Sequence, residues 1–246
     1  MKKVVALIPT RLESKRLPGK ALLYIDNYPI IVHTAKRAML SKSVNDTFVC
    51  THSDEIIKVC KKFNVPTIKT GKNFRNGTER IASVAKKFKN HLIVDVQGDE
   101  PLTNPKTIDK LVNFHLNSIH KPEIVIPTRT MSYDSSETNV RVLSSNSNRI
   151  MYLSRARVPY NYKNSESFVQ KHVSVITFTY KALLNYKKLK PTKFEEIEDI
   201  ELLRAIENDM KVFSFKIKET SFSVDINDDY LKAKIAMNED KFRGKY

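Results

Sequence analysis

The chain is poor in the residues that staple small domains and in the residue that loosens backbones. It has two cysteines, Cys50 and Cys60, in 246 residues. Two thiols cannot form a disulfide framework, and neither has metal-ligand spacing, so both read as ordinary buried thiols. No apolar run approaches the roughly 18 residues needed to span a bilayer. The opening segment has two lysines and a short apolar stretch, but it stops at Pro9 and Arg11 with no small-residue cleavage site. It reads as a first buried strand, and a cytoplasmic location is expected. The six histidines are scattered, and His115 and His120, five apart on an expected helix, do not share a face as a metal pair would.

Glycine is scarcer than usual, at five residues, so each needs a reason. Gly71 stands without obvious company and Gly244 lies in the C-terminal tail. Gly19, Gly77 and Gly98 each sit among charged residues, in loops that end a strand or open a helix. What the chain has in excess is positive charge, formally +16. Lys and Arg neutralise phosphates, yet here the cations are spread along the chain with acids between them. Such a surface attracts anionic substrates but is poor evidence for a polynucleotide, and no nucleic-acid partner is expected.

The first hundred residues alternate apolar strands with helical patterns, as in a parallel sheet built from βαβ units. Val4 to Ile8 is a continuous β-branched and apolar run suited to a strand covered on both faces. A helix opens near Pro29, and Asp46 to Thr51 is a strand followed by a helix from Ser53, its N-cap, to Phe63. A short strand around Pro66 to Lys69, a helix from about Thr78 to Phe88 and a strand His91 to Val96 complete this part. Functional loops belong at the carboxyl ends of such strands. Beyond about residue 120 strands are expected at Glu123 to Pro127, Asn139 to Leu143, Arg149 to Leu153, His172 to Thr179 and Val212 to Lys216. Phe194 to Asn208 reads as one amphipathic helix with acids early in it, and another helix starts near Asn227. Polar segments 132–138 and 161–167 read as loops. The fold class is therefore α/β, a single mixed-sheet domain over 1–246 with an inserted antiparallel portion.

Three constellations carry chemistry. Arg11, Lys15, Arg16 and Lys20 surround Pro18-Gly19 after the first strand. Guanidinium groups bind phosphate oxygens bidentately and lysine adds a mobile charge, so the loop suits a triphosphate; it equally suits a solvated basic loop. The glycine spacing is neither that of a Walker loop nor that of a dinucleotide fingerprint. Secondly, the strand Val94-Asp95-Val96 runs into Gln97-Gly98-Asp99-Glu100-Pro101. A carboxylate there can hold Mg²⁺, which prefers oxygen ligands and shares its shell with phosphates, or it can be a polar strand-ending turn. Thirdly, Asn76-Gly77-Thr78-Glu79-Arg80 opens a helix whose backbone N–H groups can receive an anion or a base edge, with Thr78 as the expected N-cap.

Taken together, these motifs resemble those of the CMP-Kdo synthetases, the 3-deoxy-manno-octulosonate cytidylyltransferases. The resemblance continues in order through Asn139-Val140-Arg141-Val142, Tyr152-Leu153-Ser154-Arg155-Ala156-Arg157-Val158-Pro159, Lys171-His172, Glu201-Leu202-Leu203-Arg204 and Val224-Asp225. It implies a nucleotide-diphospho-sugar transferase type of Rossmann-like domain. About 1–120 would form the nucleotide-binding half, and about 121–246 the sugar-binding half with an insertion used in homodimerisation. It implies coupling of CTP to a 2-keto-3-deoxy sugar acid, giving a CMP-sugar and pyrophosphate for lipopolysaccharide or capsule synthesis. By resemblance, Arg11, Arg16 and Lys20 would hold the triphosphate, with Gly77, Thr78 and Arg80 near the cytidine. Asp99 and Asp225 would bind Mg²⁺, while Gln97, Arg157, His172 and Glu201 would line the sugar pocket. Two positions depart from the family pattern. Ile176 stands where a tyrosine is usual and Leu202 where a glutamine is usual, so the sugar side loses hydrogen-bonding groups. Two expectations follow: a modified Kdo or a nonulosonic acid as substrate, or Kdo itself with neighbouring side chains making up the lost bonds.

Overall fold

The computed structural model describes residues 2–14, 16–133, 139–163, 168–219 and 222–246. Lys15 and most of the two expected polar loops lie outside the described residues.

The first half builds a parallel sheet as its sequence directs. Strand β1 (Val4–Pro9) is buried along its whole length, and two short strands, β2 (Tyr24–Ile25) and β3 (Tyr28–Pro29), form a hairpin before helix α1 (Ile30–Met39). Then come β4 (Asp46–Thr51), α2 (Asp54–Lys62), β5 (Thr67–Lys69), α3 (Gly77–Val84), β6 (Leu92–Val96) and α4 (Pro105–Asn117). Ser53 caps α2 as expected, accepting from Ile56 N at 3.3 Å. The cap of α3 differs from expectation. Asn76, in an extended conformation, accepts from Glu79 N at 2.8 Å, and Thr78 lies inside the first turn with its hydroxyl buried and unpartnered.

The second half adds β7 (Ile124–Ser132), β8 (Arg141–Ser144), β9 (Ile150–Ser154), β10 (Phe168–His172) and β11 (Val175–Thr179). Short helices α5 (Tyr180–Tyr186), α6 (Lys193–Glu198) and α7 (Leu203–Glu207) follow, then β12 (Val212–Ile217) and α8 (Asn227–Asn238). The sheet order is β5-β4-β1-β6-β11-β7-β10-β8-β9, with β12 beside β7. Strands β5, β4, β1 and β6 are mutually parallel, whereas β11 runs antiparallel to both β6 and β7. One sheet therefore passes through both halves of the chain, with an antiparallel portion at one end. Apolar layers cover both faces, one beneath α3, α5 and α7 and the other beneath α1, α2 and α4.

Two expected elements are split. The single strand expected over His172 to Thr179 is the end of β10 and then β11, separated at Val173 and Ser174. The single helix expected over Phe194 to Asn208 is α6 and α7, broken at Asp199, which adopts a left-handed conformation with φ 51°. Aspartate tolerates that region through local hydrogen bonding. The break leaves Glu201 outside both helices, where it lines a cleft. No described helix is long and apolar enough to cross a membrane.

Candidate active site

The loop after β1 and the loop after β6 meet over the carboxyl ends of their strands. Their close approach depends on Gly98, where an added Cβ would lie 2.8 Å from the Pro9 carbonyl oxygen and 3.1 Å from Thr10 Cβ. Gly19, at φ 66°, lets the basic loop turn into a single 3-10 turn that starts at Lys20. Lys20 thereby points inward. Its Nζ donates to Asp99 Oδ2 at 2.6 Å, to Asp225 Oδ1 at 3.0 Å and to the Val224 carbonyl at 2.9 Å. Arg16 reaches the same Asp225 oxygen at 2.8 Å.

The two aspartates stand 126 positions apart in sequence yet converge on one ammonium group. The backbone holds them there. Val224 N donates to the Asp99 carbonyl at 2.9 Å, while Asp229 at the start of α8 accepts from Asp225 N at 3.1 Å. Burial pushes the Asp225 carboxyl up, but Lys20 and then Arg16 outweigh it and hold the group below the ordinary carboxylate range. Burial likewise works against the Lys20 charge, and Asp99 and Asp225 more than offset it. The donor set suits a divalent cation of the magnesium type: two carboxylates aimed at one point, with room left for substrate oxygens. Among the described residues no cluster of three or more His, Cys, Asp or Glu forms an all-protein metal cage. His115 is buried and bonded to the Thr177 hydroxyl, and His120 stacks on Phe213.

From this charged centre a cleft of about 750 Å³ opens, lined by Arg11, Gly77, Gln97, Asp99, His172 and Glu201 among others. Six of the expected site residues thus share one cavity. His172 sits at the end of β10 with its Nδ1 buried and unpartnered; burial, aided by the Lys171 charge, lowers it to about 4. It therefore faces the cleft as a neutral imidazole at neutral pH. Glu201 accepts from Thr78 N at 3.3 Å, and burial raises its carboxyl above the usual range. Ile176 and Leu202 both line the cleft while belonging to the core layer beneath α3 and α5, each 2% exposed. The expected loss of hydrogen-bonding groups is therefore a feature of the cleft wall itself.

Three expected residues stand elsewhere. Arg157 is exposed and is absent from the cleft wall, where Arg155 stands instead, its Nε donating to the Glu198 carbonyl at 2.8 Å. Arg80 is almost fully buried, bonded to Thr70 Oγ1 at 2.8 Å and to the Gly71 carbonyl at 3.1 Å, and packed over Phe74. It shapes the wall behind the α3 entrance. Thr78 meets the cleft through its backbone N–H, by way of Glu201. Sequence reasoning missed Arg155, Arg75, Glu195, Glu196 and Asp199, all of which line the cleft. The acids of α6 had been read as serving only the helix dipole.

Arg204 ties α3 to α6. Its guanidinium makes two bonds to Glu195 at 2.7 and 2.6 Å and one to Glu79 at 2.9 Å, over the ring of Tyr186. It thus joins the opening turn of α3 to the α6 wall with a side chain only 1% exposed. Breaking a buried pair leaves its partners uncompensated, so Arg204→Met is expected to cost about 3–5 kcal/mol of stability. Urea unfolding measures it, and a change below about 1 kcal/mol would show the network to be dispensable.

A sequence profile described as cytidylyltransferase matches residues 5–212. The chain belongs to the cytidylyltransferase family. It is 32% identical over 221 residues to the 8-amino-3,8-dideoxy-manno-octulosonate cytidylyltransferase of Shewanella pealeana, covering 87% of this chain and 88% of that one. It is also 32% identical over 246 residues to the mitochondrial 3-deoxy-manno-octulosonate cytidylyltransferase of Arabidopsis thaliana, covering 96% of this chain and 84% of the relative. Among solved structures, a CMP:2-keto-3-deoxy-manno-octonic acid synthetase complexed with CTP superimposes with a TM-score of 0.92 at 26% identity, covering 97% of this chain and 99% of that one. Membership of the cytidylyltransferases makes the chain a nucleotidyltransferase with the α/β fold described.

Proposed function

We propose that this cytidylyltransferase couples CTP to 3-deoxy-manno-octulosonate (Kdo) or a close relative of it, in a Mg²⁺-dependent reaction that releases pyrophosphate. The observation that carries the reading is the convergence of Lys20 and Asp225 on Asp99, which lines the same cleft as Gln97, His172 and Glu201. Phosphoryl transfer asks mainly for positioning and for neutralisation of charge on attacking and leaving oxygens. Arg11, Arg16 and Lys20 would bind the triphosphate, and Lys20 would exchange a carboxylate contact for a phosphate one. Asp99 and Asp225 would hold Mg²⁺, which supplies charge neutralisation at the phosphate oxygens. Gln97, neutral His172 and Glu201 would orient the sugar acid so that its anomeric hydroxyl faces the α-phosphate. The CMP-sugar would serve lipopolysaccharide or capsule synthesis in the cytoplasm. Exposed Met151 and Phe168, on neighbouring parts of the antiparallel portion, with Tyr160 and Tyr162 near them in sequence, support a homodimer formed through the second half.

A second reading concerns the sugar. The α6–α7 wall offers Asp199 and Glu201 alongside apolar Ile176 and Leu202, while Glu195 is paired with Arg204 and Glu196 with Arg75. Acidic groups beside an apolar wall favour an ammonium-bearing sugar, and the Shewanella pealeana relative is named for an 8-amino substrate. Pyrophosphate release is to be measured with each nucleoside triphosphate against Kdo, its 8-amino variant, deoxy analogues and a nonulosonic acid. CTP with at least one octulosonic acid is expected to react. A tenfold higher kcat/KM for the 8-amino acid than for Kdo would assign the amino variant, and silence with both would sink the reading.

A further inference from the structure

Beneath the cleft floor lies a carboxyl group that none of the chemistry above uses. Asp95, on β6, is fully buried, and among the described residues its Oδ2 has no hydrogen-bond partner. Its neighbours across the sheet are Leu7 of β1 and Ile176 of β11, both apolar. The charged or titratable groups acting on it are the Glu201 and Asp99 carboxyls, and it acts in turn on the buried Cys50 thiol of β4. Thr78 of α3 stands beside it and favours the ionised form, against the larger effects of burial and of Glu201, although among the described residues its hydroxyl makes no well-formed hydrogen bond. The groups that act on Asp95 include no cation. A lone carboxylate in such surroundings is costly enough that the group keeps its proton instead.

The side-chain bond between Asp95 and Gln97 is informative. Gln97 Nε2 donates to Asp95 Oδ1 at 3.2 Å. This fixes the direction of the Gln97 amide, because its NH₂ end is held by an acceptor under the floor. The carbonyl end lies in the space left by the missing side chain of Gly77, with Oε1 3.5 Å from where a Cβ would stand. Gln97 lines the cleft, so it offers substrate an acceptor.

We propose that Asp95 is a buried carboxylic acid serving as a positioning residue, holding Gln97 with its carbonyl turned toward the sugar. Ionisation of Asp95 would place a second negative charge beside Glu201 and open the sugar end of the cleft, leaving the triphosphate loop untouched. Burial, and then the nearby Glu201 charge, push the Asp95 carboxyl well above the usual carboxylate range. The neutral form therefore prevails at neutral pH and is lost as pH rises through that elevated value.

Asp95→Asn tests this, because asparagine has the shape of the protonated acid and keeps an acceptor for Gln97. In the parent, kcat/KM for the sugar acid is expected to fall at least tenfold on the alkaline side while the KM for CTP stays constant. In Asp95→Asn that fall should be absent, with activity at neutral pH within threefold of the parent. Asp95→Leu, which offers no acceptor, should raise the sugar-acid KM at least tenfold with little change for CTP. Two arms use no substrate. The infrared carbonyl band of a protonated acid should be present in the parent at pH 7 and diminished in Asp95→Asn. A carboxyl with a raised folded pKa takes up a proton on folding, at a cost that grows with pH, so Asp95→Asn should melt at or above the parent at pH 7. An unchanged infrared band, or a marked loss of stability in Asp95→Asn, would show that the group is an ionised structural carboxylate and overturn the proposal. The sugar's identity rests on the function proposed above, whereas the infrared and melting arms stand or fall without it.

Discussion

Asp225→Asn is expected to lower pyrophosphate release with CTP and the sugar acid by roughly 10²–10³-fold, the scale for losing one preorganised electrostatic group at a phosphoryl-transfer centre. The fold should survive. Asp225 is partly exposed, its Oδ1 shared by Lys20 and Arg16, and asparagine preserves its size and its place ahead of α8. The loss should appear in kcat and in the Mg²⁺ concentration needed for half-maximal rate, with CTP binding retained. Asp99→Asn should behave alike, since both carboxylates meet the same ammonium. Either variant working within tenfold of the parent at saturating Mg²⁺ would remove the metal assignment.

Lys20→Met should have an effect of similar size by the opposite electrostatic route. It removes the charge that holds Asp99 and Asp225 together, so two carboxylates are left facing one another with Arg16 as the remaining close cation. Triphosphate affinity is expected to fall, with kcat/KM for CTP down roughly 10²–10³-fold. Affinity for a bare divalent cation should rise, because the metal no longer competes with the ammonium. Manganese titration by electron paramagnetic resonance, with and without CTP, separates the two effects. The variant should also lose a pH dependence. In the parent, Lys20 holds the Asp225 carboxyl below its ordinary value. Its contribution to stability is therefore present above the ordinary carboxylate range and vanishes as pH falls through the lowered value. Lys20→Met should flatten that acid limb of the melting curve. An unchanged limb, or unchanged manganese affinity, would contradict the bridging role.

Much of this site was legible in the sequence because its parts lie where strands end. A basic loop after β1, a glycine-started helix and a carboxylate after β6 are local patterns, and the sheet brings their ends together without further instruction. Asp225 was different. Nothing near residue 225 announces a partner at Asp99, and only the resemblance placed it. The parts misread share a physical cause, namely that one residue's backbone angles outweighed a longer pattern. The apolar spacing from Ile197 to Ile206 reads as one stripe, yet Ile197 is exposed on α6 while Leu203 is buried on α7, and the one left-handed residue between them leaves little trace in composition. Asn76 and Thr78 are both competent caps, and the extended backbone at Asn76 decided between them. Arg155 and Arg157 are two apart just after β9, and it is the bonds of Arg155 to Glu198 and Asp199 that hold it at the cleft wall. Asp95 read as one letter in a strand. Its interest lies in what surrounds it, which includes Ile176 from 81 positions away.

The wide sequence separation of Lys20 from its two counter-charges has a consequence during synthesis. A ribosome adds about 5–20 residues each second. The basic loop therefore leaves the exit tunnel on the order of ten seconds or more before Asp225 can follow it. Strand β12 has no place until β7, made some 88 residues earlier, is available to pair with it in register Val212 to Ile124. Throughout that interval the nascent chain carries its phosphate-seeking cations without Asp225 to restrain them. Late closure by β12 and α8 thus supplies the counter-charge that Lys20 has lacked since its synthesis.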